Sequence, residues 1–307
     1  MSEQRPTIRP VTLGRLVDVA DRCVRATEPV TTDVIADELD VTQRRARETL
    51  LEARRIGLLH TEDGNNSNAE RFDVTGAGEA FITAVRRSDW AQVSNRLEAG
   101  SPQYSAFLSV IEEGRSGTTN QGSMNTSEVL ESLKERAKDT PYTYNQTSLD
   151  VLTGWGERLN VVGRNAFTEN FYPMSVSEVG PATFAEALLN VYDELEATSG
   201  INLSQRYLSI PRLREHVCGR LCCSRATFDE MLVQLCADNI GSLELSGGPI
   251  DTAAKESPRG IRRVELSEGD GLVATTQTTD RVLSGLEQYG KRYYYLAVFD
   301  RDLNIDI

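Results

Sequence analysis

Apolar residues recur at helical spacing in the N-terminal part of the chain. Between positions 12 and 26 they fall every third or fourth residue, which predicts an amphipathic helix that ends before Pro29. The run Thr31–Asp33 predicts the N-cap of a short helix through Leu39, and Thr42 predicts the cap of a third helix that ends near Ile56. This order of helix, short helix, tight turn and helix is the signature of a helix-turn-helix.

Two short strands are predicted after the third helix, at Leu58–Thr61 and Arg71–Val74, on either side of a polar loop. A Thr-x-x-Gly turn then leads into a helix from Glu79 to Arg86. With this strand pair as a β wing, residues 12–86 resemble a winged helix-turn-helix domain. Many domains of that family leave the wing by a turn of this kind.

The same order of parts recurs in the middle of the chain. An amphipathic helix is predicted from Thr126 to Lys138, and Asn145 predicts the cap of the next helix. The runs Val161–Arg164 and Asn170–Pro173 predict a second wing hairpin. We interpret this part of the chain as a second winged helix.

A third copy is predicted from about Pro181 onward. Its predicted helices cover Phe184–Leu195, Ile210–Cys222 and a segment capped by Ser224. Its predicted wing strands cover Ser242–Leu245 and Gly260–Leu266. The chain is predicted to end with a helix near Thr279–Tyr289 and a strand at Tyr293–Phe299. The units differ in length and in their loops, so that no short-period solenoid repeat is visible.

These patterns predict a mainly α fold with small β wings, of the α+β class, built from three tandem winged-helix-like modules. We place module one, the N-terminal winged helix-turn-helix, at residues 1–98. Module two covers 99–178, and module three, with the C-terminal helix and strand, covers 179–307. The whole resembles tandem winged helix-turn-helix proteins of haloarchaeal type.

The composition is that of a globular protein, with 39% hydrophobic and 26% charged residues. No run approaches the roughly 18 uncharged apolar residues that a membrane span needs, and the first residues carry no apolar signal region. We therefore expect a soluble, cytoplasmic protein without a membrane partner.

The chain is strongly acidic, with a formal net charge of −13, and only four of its 33 basic residues are lysine. Acid-rich, lysine-poor usage resembles that of halophilic proteins, from organisms that keep molar salt inside the cell. At about 1 M salt the Debye length is about 3 Å, so a net negative charge repels a phosphate backbone only at contact range. Local clusters of basic residues, rather than the net charge, therefore decide whether DNA binds.

The third helix of module one carries a local excess of arginine. Indexed at about 100° per residue, it turns Ala46, Leu50 and Ala53 toward the core and Arg44 and Arg55 away from it. A helix fits the major groove of DNA, and arginine can bind guanine bidentately. The candidate base-reading residues are Gln43, Arg44 and Arg47, and the candidate phosphate contacts are Arg45, Arg54 and Arg55, with Arg259, Arg262 and Arg263 on the wing of module three.

Each of these sets has a structural alternative. Glu48 and Glu52 lie at the spacing that would pair them with the arginines of a solvated helix face. Arg262 and Arg263 could line a strand edge and keep it from aggregating.

Modules two and three present weaker faces. The outer face predicted for the third helix of module two is polar but hardly basic, and the face predicted for module three carries Arg225, Asp229 and Val233. A winged helix without a basic outer face is often a protein-docking element in families that resemble this one. Modules two and three could therefore bind a protein partner or form a homodimer.

Enzymatic motifs are missing from the sequence. It has no P-loop, no G-x-S-x-G, no H-E-x-x-H and no G-x-G-x-x-G opening a helix, and its two histidines, His60 and His216, have no visible catalytic partner. We expect no enzyme and no cofactor. A metal or redox role stays open for the cysteines of module three, Cys218, Cys222, Cys223 and Cys236, although no C-x2-C pair occurs.

Two functional hypotheses remain. The first is a sequence-specific protein that binds double-stranded DNA, either a transcriptional regulator or a component of a plasmid or defence system. The second is a tandem winged-helix adaptor that assembles a larger ATPase or restriction-type complex without reading DNA sequence.

Overall fold

The computed structural model describes residues 7–62, 70–116, 123–174, 179–198, 207–247, 282–288 and 290–305. These residues form a mainly helical protein with small antiparallel sheets, which confirms the predicted α+β class. Within the described parts, no helix combines the length and the apolar character needed to cross a membrane. The described chain divides into two compact units, one from residues within 1–112 and 127–162 and the other from the remaining described residues.

The first unit contains the elements predicted for module one and further helices. Its elements are α1 (Leu13–Arg25), β1 (Val30–Thr31), α2 (Thr32–Glu38), α3 (Gln43–Arg55), β2 (Leu59–Glu62), β3 (Arg71–Val74), α4 (Gly76–Arg86), α5 (Trp90–Gly100), most of α6 (Pro102–Ser116), α7 (Thr126–Arg136) and α8 (Gln146–Arg158). The predicted order of helices and strands from 12 to 86 is confirmed. Strand β1 and helix α5 were not predicted.

Side-chain caps determine where several of these helices begin. The hydroxyl oxygens of Thr12, Thr42 and Thr75 each accept a hydrogen bond from a backbone N–H in the first turn of α1, α3 and α4. Asn145 caps α8 in the same way and forms a capping box with Ser148. Three of these caps, at Thr12, Thr42 and Asn145, begin helices at or beside the predicted positions.

A three-stranded antiparallel sheet with strand order β1-β3-β2 lies beside these helices. Val30 pairs with Phe72, and His60 pairs with Asp73. Phe72 is fully buried, together with Leu16 and Leu50 of α1 and α3. The sheet and helices α1 and α3 therefore share one apolar core.

The chain that leaves α3 is closely approached by two later helices. A Cβ added at Gly78 of α4 would collide with the carbonyl oxygen of Leu58, and one added at Gly100 of α5 would collide with that of Ile56. Only glycine, which has no side chain, allows the backbone to come this near. These two contacts fix α4 and the end of α5 against the exit of α3.

Helices α6 and α8 complete the core of the first unit. The Trp155 indole N–H donates a hydrogen bond to the carbonyl oxygen of Val11, at 3.0 Å. The Tyr104 ring meets Trp155 edge to face, with centroids 5.8 Å apart. Burial raises the pKa of Tyr104 far above its ordinary value, which keeps the phenol neutral.

The second unit is assembled around helices α9 (Pro181–Thr198), α10 (Ile210–Leu221) and α11 (Arg225–Asp238). Its strands are β4 (Val162–Arg164), β5 (Phe171–Pro173), β6 (Tyr207–Ser209), β7 (Leu243–Ser246), β8 (Leu286–Gln288), β9 (Lys291–Tyr293) and β10 (Tyr295–Val298). Strand β10 lies between β6 and β7 in an antiparallel sheet, while β4 pairs with β5 and β8 with β9. Phe184 and Phe228 meet edge to face in the apolar core, with centroids 5.6 Å apart.

The C-terminal part differs from two of the predictions. The final helix predicted near Thr279–Tyr289 is wrong at its C-terminal end, because Leu286–Gln288 is strand β8, in which Leu286 pairs with Tyr293 of β9. Residues 279–281 and 289 of that prediction lie outside the described residues. Gly290, with a φ of 70°, lies in the turn before β9. The described partner of β7 is β10, whereas the partner predicted for it, residues 260–266, lies outside the described residues.

Candidate nucleic-acid interface

Helix α3 of the first unit presents most of its arginines to solvent. Ala46, Leu50 and Ala53 are buried in the core, as predicted, and they fix the rotation of the helix about its axis. The exposed residues of α3 include Gln43, Arg44, Arg45, Arg47 and Arg54. Five of the six residues predicted on α3 as DNA contacts are therefore exposed, and we call these five residues together the α3 face. Gln43, Arg44 and Arg47 border one depression, whereas Arg45 lies further around the helix, beside Glu48 and Thr49.

Arg44 lies in the first turn of α3 and extends into solvent. Its Nε donates a hydrogen bond to Oε1 of Glu48 at 3.0 Å, which is the i to i+4 pairing that the sequence offers as the structural alternative. The Arg44 side chain is nevertheless 87% exposed. An ion pair with this exposure contributes about 0–1 kcal/mol, so a phosphate or a base edge can replace the carboxylate at little cost.

Arg47 and Arg54 share one carboxylate. Glu70 immediately precedes β3. Its Oε2 lies 3.6 Å from Nη2 of Arg47, and its Oε1 lies 3.5 Å from Nη1 of Arg54. All three side chains are at least 40% exposed. One carboxylate between two guanidinium groups leaves net positive charge at this part of the α3 face.

Arg45 differs from its neighbours on the helix. Its side chain is exposed and forms no ion pair with any residue that the structure describes. It lies in the first turn of α3, where the helix dipole adds positive potential. Arg44, Arg45, Arg47 and Arg54 thus outnumber the two carboxylates, Glu48 and Glu70, that pair with them.

The N-terminal end of the α3 face borders an open depression of about 440 Å³. Its lining comprises Thr31, Thr32 and Asp33 at the start of α2, Gln43, Arg44 and Arg47 of α3, and Glu70. The three candidate base-reading residues are therefore brought together around one concave surface. Asp33 and Glu70 are its acidic members.

Arg55 lies elsewhere, and the expectation that it faces outward is wrong. Its side chain is 17% exposed and pairs with the fully buried Glu52, with an Nη2 to Oε1 distance of 2.5 Å. A second guanidinium nitrogen donates to the side-chain oxygen of the buried Gln103 in α6. Arg9 also contacts Glu52, at 3.4 Å. Arg55 therefore stabilises the core side of α3 rather than the α3 face.

The helical periodicity of α3 could not predict its contacts with Glu70 and Gln103. Glu70 belongs to the polar stretch before β3, and Gln103 belongs to the first turn of α6. Each contacts α3 only through the tertiary fold. Glu52 lies i to i+3 from Arg55, a spacing that did point to pairing, although not to burial.

The residues predicted on the other modules have different outcomes. Arg259, Arg262 and Arg263 lie outside the described residues. Arg225, predicted on an outer face, is instead buried, because its Nε donates to Oε1 of Glu215 at 2.5 Å. Asp229, also predicted on that face, accepts a hydrogen bond from Arg214 at 2.7 Å.

The five cysteines are buried free thiols. Burial raises the pKa of Cys23 and of Cys236 to about 12, whereas a hydrogen bond from Cys218 lowers that of Cys223. In the described parts of the chain, no group of three or more His, Cys, Asp or Glu residues could hold a metal ion.

No family model and no curated protein matches the sequence. A solved structure titled "Magnesium ion-bound SspB crystal structure" is 13% identical, with a TM-score of 0.40, over 78% of this chain and 79% of that one. A second, titled "SspB crystal structure", is 14% identical, with a TM-score of 0.39 and the same coverage. Likenesses this weak carry no argument about function.

Proposed function

We propose that this chain is a DNA-binding protein that reads duplex DNA with the α3 face. In this proposal α3 enters the major groove. Gln43, Arg44 and Arg47 contact base edges, while Arg45 and Arg54 bind flanking phosphates. The observation that supports it best is the exposure of these five side chains on one helix whose opposite side is buried in the core.

The surrounding fold is consistent with this role. We propose that residues 12–86 form a winged helix-turn-helix, with β2 and β3 as the wing, and that the chain holds three such modules in tandem at 1–98, 99–178 and 179–307. Support comes from the order of elements, since a helix pair followed by two short antiparallel strands occurs at α2 to β3 and at α7 to β5. The helix pair α10 and α11 is followed by β7, which pairs antiparallel with β10. Either a transcriptional regulator or a DNA-binding component of a plasmid or defence system would use such an arrangement.

The carboxylates on the α3 face do not prevent this function. Exposed ion pairs contribute little to stability, so Arg44, Arg47 and Arg54 can exchange Glu48 and Glu70 for phosphates at small cost. Binding then releases counterions from the DNA, which makes the affinity depend on salt. Glu48 and Glu70 lower the affinity for DNA of any sequence. The preference for one sequence over another then depends on direct contacts with bases.

The first experiment measures duplex binding by fluorescence anisotropy over a series of KCl concentrations. We expect the logarithm of the association constant to fall linearly with the logarithm of the salt concentration. Arg45→Ala should weaken binding to all duplexes alike and reduce the slope by about 1. Arg25→Ala is the matched control, because it removes one exposed arginine of α1, outside the α3 face.

The second experiment tests sequence reading. A preferred duplex is selected from a random library, and its affinity is compared with that of a duplex of unrelated sequence. We expect Arg44→Ala and Arg47→Ala to reduce the preference by about 1–3 kcal/mol without changing the unfolding midpoint. Absence of salt-linked duplex binding by the native protein would refute the proposal.

A tandem adaptor is the second candidate, and the ion pairs of the α3 face favour it. In that case the guanidinium groups of Arg47 and Arg54 serve mainly to hold Glu70, and the face packs against a protein. Such an adaptor has no salt-linked affinity for duplexes. The anisotropy titration therefore separates the two candidates directly.

A further inference from the structure

The second unit contains a polar cavity of about 380 Å³. Small-molecule sites commonly have volumes of about 300–1,000 Å³. The cavity is lined by Arg115, Ser123, Asn165, Thr168, Asn170, Tyr172, Glu194, His216, Gly219, Arg220 and Cys222. The proposed DNA interface involves none of these residues.

Helix α10 supplies two of the cationic or titratable groups. His216 and Arg220 are four residues apart and lie on the same side of the helix. One terminal nitrogen of Arg220 donates to both carboxylate oxygens of Glu194, at 2.8 Å each. Its other two nitrogens form no hydrogen bond with the residues that the structure describes. Arg220 can therefore hold Glu194 and still donate to a ligand.

His216 has unused hydrogen-bonding capacity. Its imidazole forms no hydrogen bond within the described chain, although it is only partly exposed. Burial lowers its pKa, and the charges of Arg212 and Arg220 lower it further, while Glu215 and Glu194 act in the opposite direction. An anion placed beside the ring would favour its protonated form.

The loop between β4 and β5 forms a wall of the cavity that is fixed in place. Asn165 is buried, and its side-chain oxygen accepts from the backbone N–H groups of Phe167 and Thr168, at 2.8 and 3.0 Å. The next residue, Ala166, donates its backbone N–H to Glu215 of α10, at 2.7 Å. Glu215 is itself held by the buried Arg225.

These contacts leave the amide nitrogen of Asn165 as a further donor. No hydrogen bond from this nitrogen to a described residue is present, whereas the amide nitrogen of Asn170 donates to Ser123 at 3.3 Å. The cavity thus brings together two guanidinium groups, an imidazole and a carboxamide from α6, α10 and the β4–β5 loop. Glu194, the one carboxylate in its lining, is 60% exposed.

We propose that this cavity binds a small phosphate monoester of about mononucleotide size. A phosphate dianion has three terminal oxygens, each of which accepts more than one hydrogen bond, and guanidinium groups suit it especially well. Donors from three elements of the fold can satisfy it together. The volume exceeds that of a phosphate group, and Tyr172, Gly219 and Cys222 offer less polar contact for the remainder of the ligand.

Isothermal titration calorimetry tests the proposal with three probes: inorganic phosphate, adenosine monophosphate and adenosine. We expect phosphate and adenosine monophosphate to bind and adenosine to give no heat of binding. Arg220→Ala should weaken the binding of adenosine monophosphate by about 10-fold to 100-fold, the range for a hydrogen bond to a charged group. His216→Gln should weaken it less, and most clearly at low pH.

Arg212→Ala is the matched control. Arg212 lies on the same helix and near His216 but does not line the cavity. Arg212→Ala changes the net charge by the same amount as Arg220→Ala. It should leave the affinity for adenosine monophosphate within about twofold of that of the native protein. Equal losses in Arg220→Ala and Arg212→Ala would show that only general electrostatics act, and would overturn the proposal. Binding of adenosine as tightly as adenosine monophosphate, or no binding of any probe, would overturn it as well.

The two proposals succeed or fail separately. Arg220→Ala lies outside the α3 face and is expected to leave duplex affinity unchanged, and Arg45→Ala is expected to leave the binding of adenosine monophosphate unchanged.

Discussion

Glu52 differs from a typical helical glutamate, which is exposed to solvent. It is fully buried and accepts hydrogen bonds from Arg55 and from the backbone N–H of Arg9. Replacing it by glutamine removes the charge and leaves the largely buried guanidinium of Arg55 without a carboxylate partner. We expect Glu52→Gln to lower the free energy of unfolding by about 3 kcal/mol, measured by denaturant titration.

Glu48→Gln serves as its control. Glu48 lies one turn earlier on the same helix and pairs with the exposed Arg44. We expect this change to cost less than about 0.5 kcal/mol. Similar losses in both variants would contradict a structural difference between the core side of α3 and the α3 face.

His216 predicts how stability depends on pH. Burial lowers its pKa from the ordinary 6.5 in the folded chain, so the unfolded chain binds the proton more tightly. The contribution of the neutral His216 to the free energy of unfolding is therefore complete at neutral pH, and it is lost as the pH falls below about 6.5. Thermal unfolding as a function of pH should show this slope in the native protein and a smaller slope in His216→Gln.

Individual side chains mark the limit of what the sequence could predict. A helical wheel correctly placed Ala46 and Leu50 inside and Arg44 outside, because those positions follow the periodicity of α3 alone. The helical wheel was wrong at Arg55, which contacts Gln103 of another helix, and at Arg225, which pairs with Glu215. Charged groups that pair across elements become buried for reasons that one helix cannot reveal.

Helix capping provides a test at the scale of a single element. The Thr42 hydroxyl oxygen accepts from the backbone N–H of Arg45 at 3.3 Å, at the start of the proposed recognition helix. We expect Thr42→Ala to lower the free energy of unfolding by about 1 kcal/mol. Thr31 occupies the same position before α2 but forms no side-chain capping bond, so that Thr31→Ala should cost clearly less in the same assay.

Elements with strong local signals were predicted well, and those made by pairing were not. The amphipathic helices α1, α3, α8 and α10 combine periodicity with caps or breakers that one sequence displays. The two-residue β1 exists through its pairing with β3, and β8 through its pairing with β9. Such short strands have no periodicity of their own, which explains why β8 was mistaken for part of a helix.

At the scale of the whole molecule, the charge of −13 predicts a response to salt. Like charges repel one another in the folded chain, and dissolved ions screen that repulsion. We expect the unfolding midpoint to rise with KCl concentration, measured by circular dichroism. Potassium chloride is preferable to sulfate, which would also strengthen the burial of apolar groups. A midpoint that falls with KCl would contradict this expectation.

The two close approaches at Gly78 and Gly100 have an evolutionary consequence. Each lies against a backbone carbonyl at the exit of α3, where even a methyl group would not fit. Natural selection can replace apolar neighbours by others of similar volume, but it has no substitute for a missing side chain at these two positions. Divergent homologues that preserve this packing should therefore keep both glycines, which gives a two-position fingerprint for recognising them after most other identity is lost.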